Sequence, residues 1–211
     1  MTEYKDNNAV TIAGVLEDNP LFSHEVYKEK FYMFTIRVKR LSDTYDYIKV
    51  ILSERLFGSN LDIRSGDFVL VNGQFRSYNN YSGTGSRLVL TVFAKDIHTI
   101  NENEIENPNQ IYLDGFVCKE PVYRVTPFGR EIADMLLAVN RSYNKSDYIP
   151  SIAWGRNAKF CRDIGVGARV RIWGRIQSRE YQKKLDEETA ITKTAYEISI
   201  GKMELVLDDE E

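Results

Sequence analysis

The chain has 211 residues and only two cysteines and two histidines. A closed structural zinc site usually takes four Cys or His ligands. Here it would need Cys118, Cys161, His24 and His98, which share no ligand spacing, so no metal site is expected. The two thiols read as reduced and buried. No apolar run approaches the length of a membrane span. The opening residues, from Met1 to Asp6, carry no apolar signal segment, and a cytoplasmic location is expected. A phosphate loop ending in Gly-Lys-Ser/Thr is also missing. Ser82 to Ser86 comes nearest, but it lacks the lysine and falls in a hairpin. With no nucleophile set beside a base, the expectation is a non-enzyme without a cofactor.

What is present is a repeat. Gly14 matches Gly115, Gly66 matches Gly167 and Gly73 matches Gly174, each 101 residues on (115 − 14 = 101). Pro20/Pro121, Val38/Val139, Arg40/Arg141, Tyr47/Tyr148, Ile51/Ile152 and Ser77/Ser178 keep that offset without a gap. Units of this length are whole domains, not solenoid repeats. The expected domains are residues 1–100 and 109–207, joined by a polar linker at 101–108 without a fold of its own and followed by acidic residues 208–211.

In the first copy, Val10 to Leu16 alternates as a strand does. Phe31 to Lys39 puts Phe34, Ile36 and Val38 on one face, with Met33, Thr35, Arg37 and Lys39 on the other. Further strands are expected at Tyr47–Leu52, at Phe68–Phe75 and after a Gly- and Asn-rich hairpin at 79–85. A short helix is expected at Glu54–Leu61. The second copy repeats the order: Ile111–Val117, Glu131–Arg141, Tyr148–Trp154, a helix at Asn157–Ile164, Arg169–Ile176 and Tyr196–Leu205. Five strands with a helix between the third and fourth make an all-β fold with one short helix per domain: two tandem OB-folds, five-stranded Greek-key barrels. Glycines at matched spacing fit the bends of small barrels.

Charge is uneven. Gly115 to Lys184 carries 14 Lys and Arg against 6 Asp and Glu, whereas Asn8 to Ile97 carries 11 against 10. The net charge of −3 therefore leaves room for a polyanion partner. Tyr148 and Trp154 share the outer face of the third strand of copy two with Pro150 and Ile152. In copy one that face reads Tyr47, Lys49, Ile51 and Ser53, beside Arg37 and Lys39. Aromatic rings among cations suit a single-stranded nucleic acid, because bases stack and phosphates pair. Rings that simply cover a seam between domains are the alternative. The last hairpin adds Arg175, Gln177, Arg179, Tyr181, Lys183 and Lys184 in copy two, and Arg76, Tyr78, Tyr81 and Arg87 in copy one. Arg169, Arg171, Trp173 and Arg175 alternate on the fourth strand, which lies away from the usual OB groove and reads better as an interface.

Several stretches resemble the DNA-binding domain of bacterial single-stranded DNA-binding proteins, in the rarer tandem OB-fold form. They are Asn109–Gly115, Thr126–Gly129, Leu137–Arg141, Ala153–Gly155 and Gly174–Tyr181. The resemblance implies single-stranded DNA as partner, a nucleoid-associated role in replication, recombination or repair, and a homodimer presenting four OB domains. It implies base stacking on Tyr143, Tyr148, Trp154 and Tyr181. Arg141, Lys145, Arg179 and Lys183 are candidate phosphate contacts, with Arg37, Lys39 and Lys49 in copy one, where Tyr47 and Tyr78 are the candidate rings. Copy one matches less well, with Ser53 where copy two has Trp154 and Asn80 where it has Tyr181. The family's long tail with an apolar tip is not seen after Leu207, so recruitment by that route is not expected. A second reading is an OB-fold adaptor that binds proteins in a replication or primosome complex.

Overall fold

The computed structural model describes residues 6–57, 62–79, 88–184 and 190–207, with the side chains of residues 183–184 and 190–191 set aside. The expected hairpin at 79–85 and the acidic residues 208–211 lie almost wholly outside that set. Contacts divide the chain into two compact units. One contains Val10–Gln110 together with Ser178–Ala195; the other contains Met1–Ala9, Ile111–Gln177 and Tyr196–Glu211.

In the first copy, strands run β1 (Asn8–Leu16), β2 (Leu21–Val26), β3 (Glu29–Lys39), β4 (Tyr45–Ser53), β5 (Phe68–Asn79) and β6 (Leu88–Thr99). β3 pairs antiparallel with β4, β4 parallel with β6, β6 antiparallel with β5, and β5 antiparallel with β1. Pairing of Val15 with Arg37 and Leu16 with Ile36 joins β1 back to β3 and closes the ring. That circuit is the OB barrel. Its core is built as the alternation demands: Phe34, Ile36 and Val38 are buried while Arg37 and Lys39 stay outside. Gly73 is buried in contact with the β6 backbone, where a Cβ would fall inside the carbonyl oxygen of Phe93.

The second copy continues with β7 (Asn109–Val125), β8 (Glu131–Arg141), β9 (Lys145–Trp154), α1 (Arg156–Arg162), β10 (Arg169–Lys184) and β11 (Ala190–Val206). β7 pairs with β8, β8 with β9, β9 in parallel with β11, β11 with β10, and β10 with β7, which closes a second OB barrel. Gly174 matches Gly73 in role as well as spacing: a Cβ there would fall inside the Ser199 carbonyl oxygen.

Four expectations change. β2 was not anticipated. It is exposed along its whole length and turns into β3 through Tyr27 and Lys28, both at positive φ. In copy two the equivalent residues extend β7 past two bulges to Val125. The first helix is a single 3-10 turn at Glu54–Phe57; residues 58–61 lie outside the described set. The linker is not free of structure: it contains a 3-10 turn at Glu102–Glu104, and the carbonyl of Pro108 accepts a 2.8 Å hydrogen bond from the N–H of Ala13. The strands entering the last hairpins are longer than expected, β5 to Asn79 and β10 to Lys184, because the buried residues that continue the alternation there are the polar Ser77 and Ser178, which give no apolar signal.

Candidate nucleic-acid interface

β9 presents the clearest candidate surface. Ile149, Ser151 and Ala153 point into the barrel and are buried. Tyr148 is 47% exposed and Trp154 is 38% exposed on the opposite face. Ile152 lies between them but is covered, as is its counterpart Ile51. Two half-open rings therefore flank a closed centre. Beside Trp154, Tyr123 donates its hydroxyl to Glu131 at 2.7 Å, and the Lys159 ammonium lies 3.2 Å from the same carboxylate. The hydrogen bond from Tyr123 and then the lysine hold the Glu131 carboxyl below its ordinary pKa, so the edge of the face stays charged but internally balanced.

The other predicted residues of this unit are placed as follows. Tyr143 sits at the β8–β9 turn, 94% exposed, with φ 63° followed by Asn144 at φ 54°. A tyrosine in left-handed backbone is uncommon and marks a constrained turn. Lys145 is exposed at the start of β9. Arg141 leans on the buried carboxylate of Asp147 at 3.6 Å, which offsets its charge.

Eight predicted residues fall in the other unit. Tyr47 is 44% exposed on β4 and Tyr78 is 45% exposed near the end of β5. Burial of its hydroxyl pushes the Tyr78 pKa up. Lys39 and Lys49 are exposed. Arg37 is held by Glu17 at 2.9 Å and its guanidinium lies 5.0 Å over the ring of Tyr45. Ser53 is buried and donates to Glu29, which also pairs with Arg55 at 2.8 Å. Arg179 and Tyr181 lie on the outer part of β10, which clusters with the first barrel; Tyr181 is 40% exposed. Lys183 also lies on β10, but its side chain is outside the described residues.

Sequence reasoning missed two features. Tyr27 and Phe128, again 101 residues apart, sit at the tips of the β2–β3 and β7–β8 hairpins, 100% and 92% exposed (128 − 27 = 101). The repeat itself was the signal that marks them. The second is a buried cluster of Arg40, Asp46 and Ser178. Ser178 donates its N–H to Asp46 at 2.7 Å, and Arg40 donates to the other carboxylate oxygen at 2.9 Å.

On the fourth strand, the outward arginines are already partnered. Arg169 and Arg171 donate to Asp114 at 2.8 and 3.2 Å. Burial pushes the Asp114 carboxyl up, and the bonds from both arginines outweigh it and lower the pKa. Trp173 packs against Tyr112 at 5.2 Å, with the Lys202 ammonium 4.5 Å over its ring. Among the described residues no helix is long and apolar enough to cross a membrane.

Two closed OB barrels in one chain, each with aromatic rings on its third strand, define a tandem OB-fold protein. The Single-strand binding protein family matches residues 108–206. Single-stranded DNA-binding protein B of Bacillus subtilis is 32% identical over 95 residues, covering 40% of this chain and 81% of the relative. The chain belongs to the single-strand binding protein family. Single-stranded DNA-binding protein A of the same organism is 29% identical over 96 residues, and the aligned part spans only 56% of its length. The wild-type single-stranded DNA binding protein from Thermus aquaticus shares the fold at a TM-score of 0.76 with 18% identity, over 97% of this chain and 95% of that one. A deletion mutant of the Thermus protein matches over 99% of this chain and 98% of its own, also at 0.76. The family is named for binding, not for a reaction.

Proposed function

We propose that this chain binds single-stranded DNA with little regard to sequence, as a homodimer presenting four OB domains in replication, recombination or repair. The observation that carries the reading is the pair Tyr148 and Trp154, half-exposed on a strand whose alternate residues are buried. Open rings on a barrel face need a partner with apolar faces of its own, and unpaired bases supply them. Exposed Lys145 offers a phosphate contact near the same strand. Membership in a family whose curated relatives bear the name single-stranded DNA-binding protein supports the choice of ligand.

The deciding measurement is a fluorescence titration with oligothymidylate at low and moderate salt, set beside a duplex of equal length. Tight, salt-sensitive binding of the single strand alone is the expected result. No binding at low salt, together with a stable protein partner in pull-down, favours the adaptor reading. Sedimentation equilibrium reports the assembly state: a mass of one chain overturns the homodimer.

A further inference from the structure

The first barrel lacks two of the stacking positions of the second. Ser53 stands where the second barrel has Trp154, and Asn80 where it has Tyr181. Ser53 is buried and committed to Glu29. Arg37, beside this face, is committed to Glu17. Judged by β1 to β6 alone, this barrel offers the rings of Tyr45, Tyr47 and Tyr78 and the cations Lys39 and Lys49, with no ring at the positions of Trp154 and Tyr181.

The arm Ser178–Ala195 changes that count, because it is part of the same compact unit. A buried carboxylate fixes it there. Asp46, almost without exposure, accepts from the N–H of Ser178 at 2.7 Å and from its hydroxyl at 3.3 Å. That hydroxyl in turn accepts from the N–H of Tyr47 at 2.9 Å. Arg40 closes the cluster, donating to the Ser178 carbonyl at 2.9 Å. A buried carboxylate is costly unless fully bonded, and here the bonds made by Ser178 tie the start of β4 to the base of the arm. Three residues beyond the latch the arm carries Tyr181, with a ring as open as that of Tyr47 and with Arg179 exposed between.

We propose that the arm of the second copy completes the single-strand-binding face of the first barrel, with Tyr181 as the ring that Asn80 does not provide. The inference rests on the single-stranded DNA reading given above. The Asp46–Ser178 latch preorganises the arm, so the strand does not bear the cost of ordering it. Tyr181 then acts with Tyr47 on one strand of DNA.

The test uses the full chain with Tyr148→Ala and Trp154→Ala, which remove the rings of the second barrel. Both positions are partly exposed, and matched thermal unfolding checks that the fold holds. In that background, Tyr181→Ala is expected to weaken oligothymidylate binding by about 5- to 150-fold, the worth of one stacked base. Ser178→Ala, which loosens the latch and touches no ring, is expected to weaken it in the same background. If Tyr181→Ala is silent there yet weakens binding when Tyr148 and Trp154 are intact, the ring serves the second barrel and the proposal falls. It falls also if the background variant binds nothing while the unsubstituted chain binds well, a result that leaves the proposed function standing. If the unsubstituted chain itself fails to bind, both readings fail, and the failure begins with the function.

Discussion

Ser178 donates its backbone N–H to Asp46 across 132 residues of chain, at 2.7 Å. The bond is sealed from water: Asp46 is essentially unexposed and Ser178 is 8% exposed. Arg40 answers the carboxylate charge with two donors, one at 2.9 Å to Oδ2 and one to Oδ1. Such a cluster fixes how segments meet, because only one arrangement satisfies every member.

Asp46→Ala should therefore cost more than an ordinary polar substitution. It strips the Ser178 N–H of its acceptor and leaves Arg40, a partly buried cation, without its partner. Breaking a buried pair on one side costs about 3–5 kcal/mol. Because the Arg40 side chain is 22% exposed and can reach water, a loss near the lower end, about 3 kcal/mol, is expected in urea unfolding. A change under about 1 kcal/mol would show that the cluster contributes little to the fold.

Gly73→Ala and Gly174→Ala are expected to destabilise to a similar degree. In each, the new methyl runs into a backbone carbonyl, Phe93 in one barrel and Ser199 in the other, and a backbone cannot rotate aside as a side chain can. Overpacking of this kind costs about 1–3 kcal/mol. Gly165→Ala, with open space around the added atom, serves as the control and should stay close to the parent in a thermal melt. Equal melting of all three would remove the close-approach argument.

These glycines were legible because a duplicated sequence compares its own copies. Residues that shape the barrel recur at both positions, and the buried alternation of Phe34, Ile36 and Val38 gives β3 its face directly. β2 was not legible for the same physical reason. From Leu21 to Val26 nothing is buried, so no core imposes a period on the sequence. Its turn at Tyr27 and Lys28 takes positive φ without Gly or Asn, the residues that usually announce such a turn. The rings Tyr148 and Trp154 could be read from alternation. The latch could not: Arg40, Asp46 and Ser178 belong to pairs matched by the repeat, but that register does not say that they meet, and only the tertiary fold brings them together.

Asp114 gives the fold an acid-sensitive contact. Its carboxyl is held below the ordinary value by Arg169 and Arg171, against the opposing effect of burial. A lowered folded-state pKa adds stability that is fully present above the unfolded value, roughly 3.9, and is lost as pH falls through the folded value. Asp114→Asn should thus lower stability at pH 7 by about 1–3 kcal/mol, the worth of hydrogen bonds to a charged group. The gap between parent and variant should hold steady down to about pH 4 and narrow below it. Paired denaturant curves across that range decide the matter; a gap that closes between pH 7 and 6 assigns the contact to some other group.

Cys161 should be silent toward thiol reagents in the native chain. It is buried on α1, its sulfur 3.1 Å from that of Met135, and burial pushes the thiol pKa up to about 12. The reactive thiolate is then scarce at neutral pH as well as out of reach. Cys118 is less enclosed, though burial raises its thiol too. A disulfide-exchange reagent at pH 7.5 should label Cys118 first and Cys161 only on unfolding. Prompt labelling of both would mean that α1 opens readily.

Loss of Tyr148 and Trp154 together is the strongest prediction for binding. Each ring is open enough to take a base and is positioned by a strand whose other face is locked in the core. Stacking is worth about 1–3 kcal/mol per base, so Tyr148→Ala with Trp154→Ala should cost about 2–6 kcal/mol if the two effects add. That is roughly 30- to 20,000-fold in oligothymidylate affinity. The salt dependence should survive, because neither substitution removes a cation. With about five phosphates contacted, log K should fall against log salt with a slope near −3.5 in parent and variant alike. A slope that drops with the rings, or an affinity that does not move, would separate the stacking face from the binding site and return Tyr148 and Trp154 to the role of cover for the barrel.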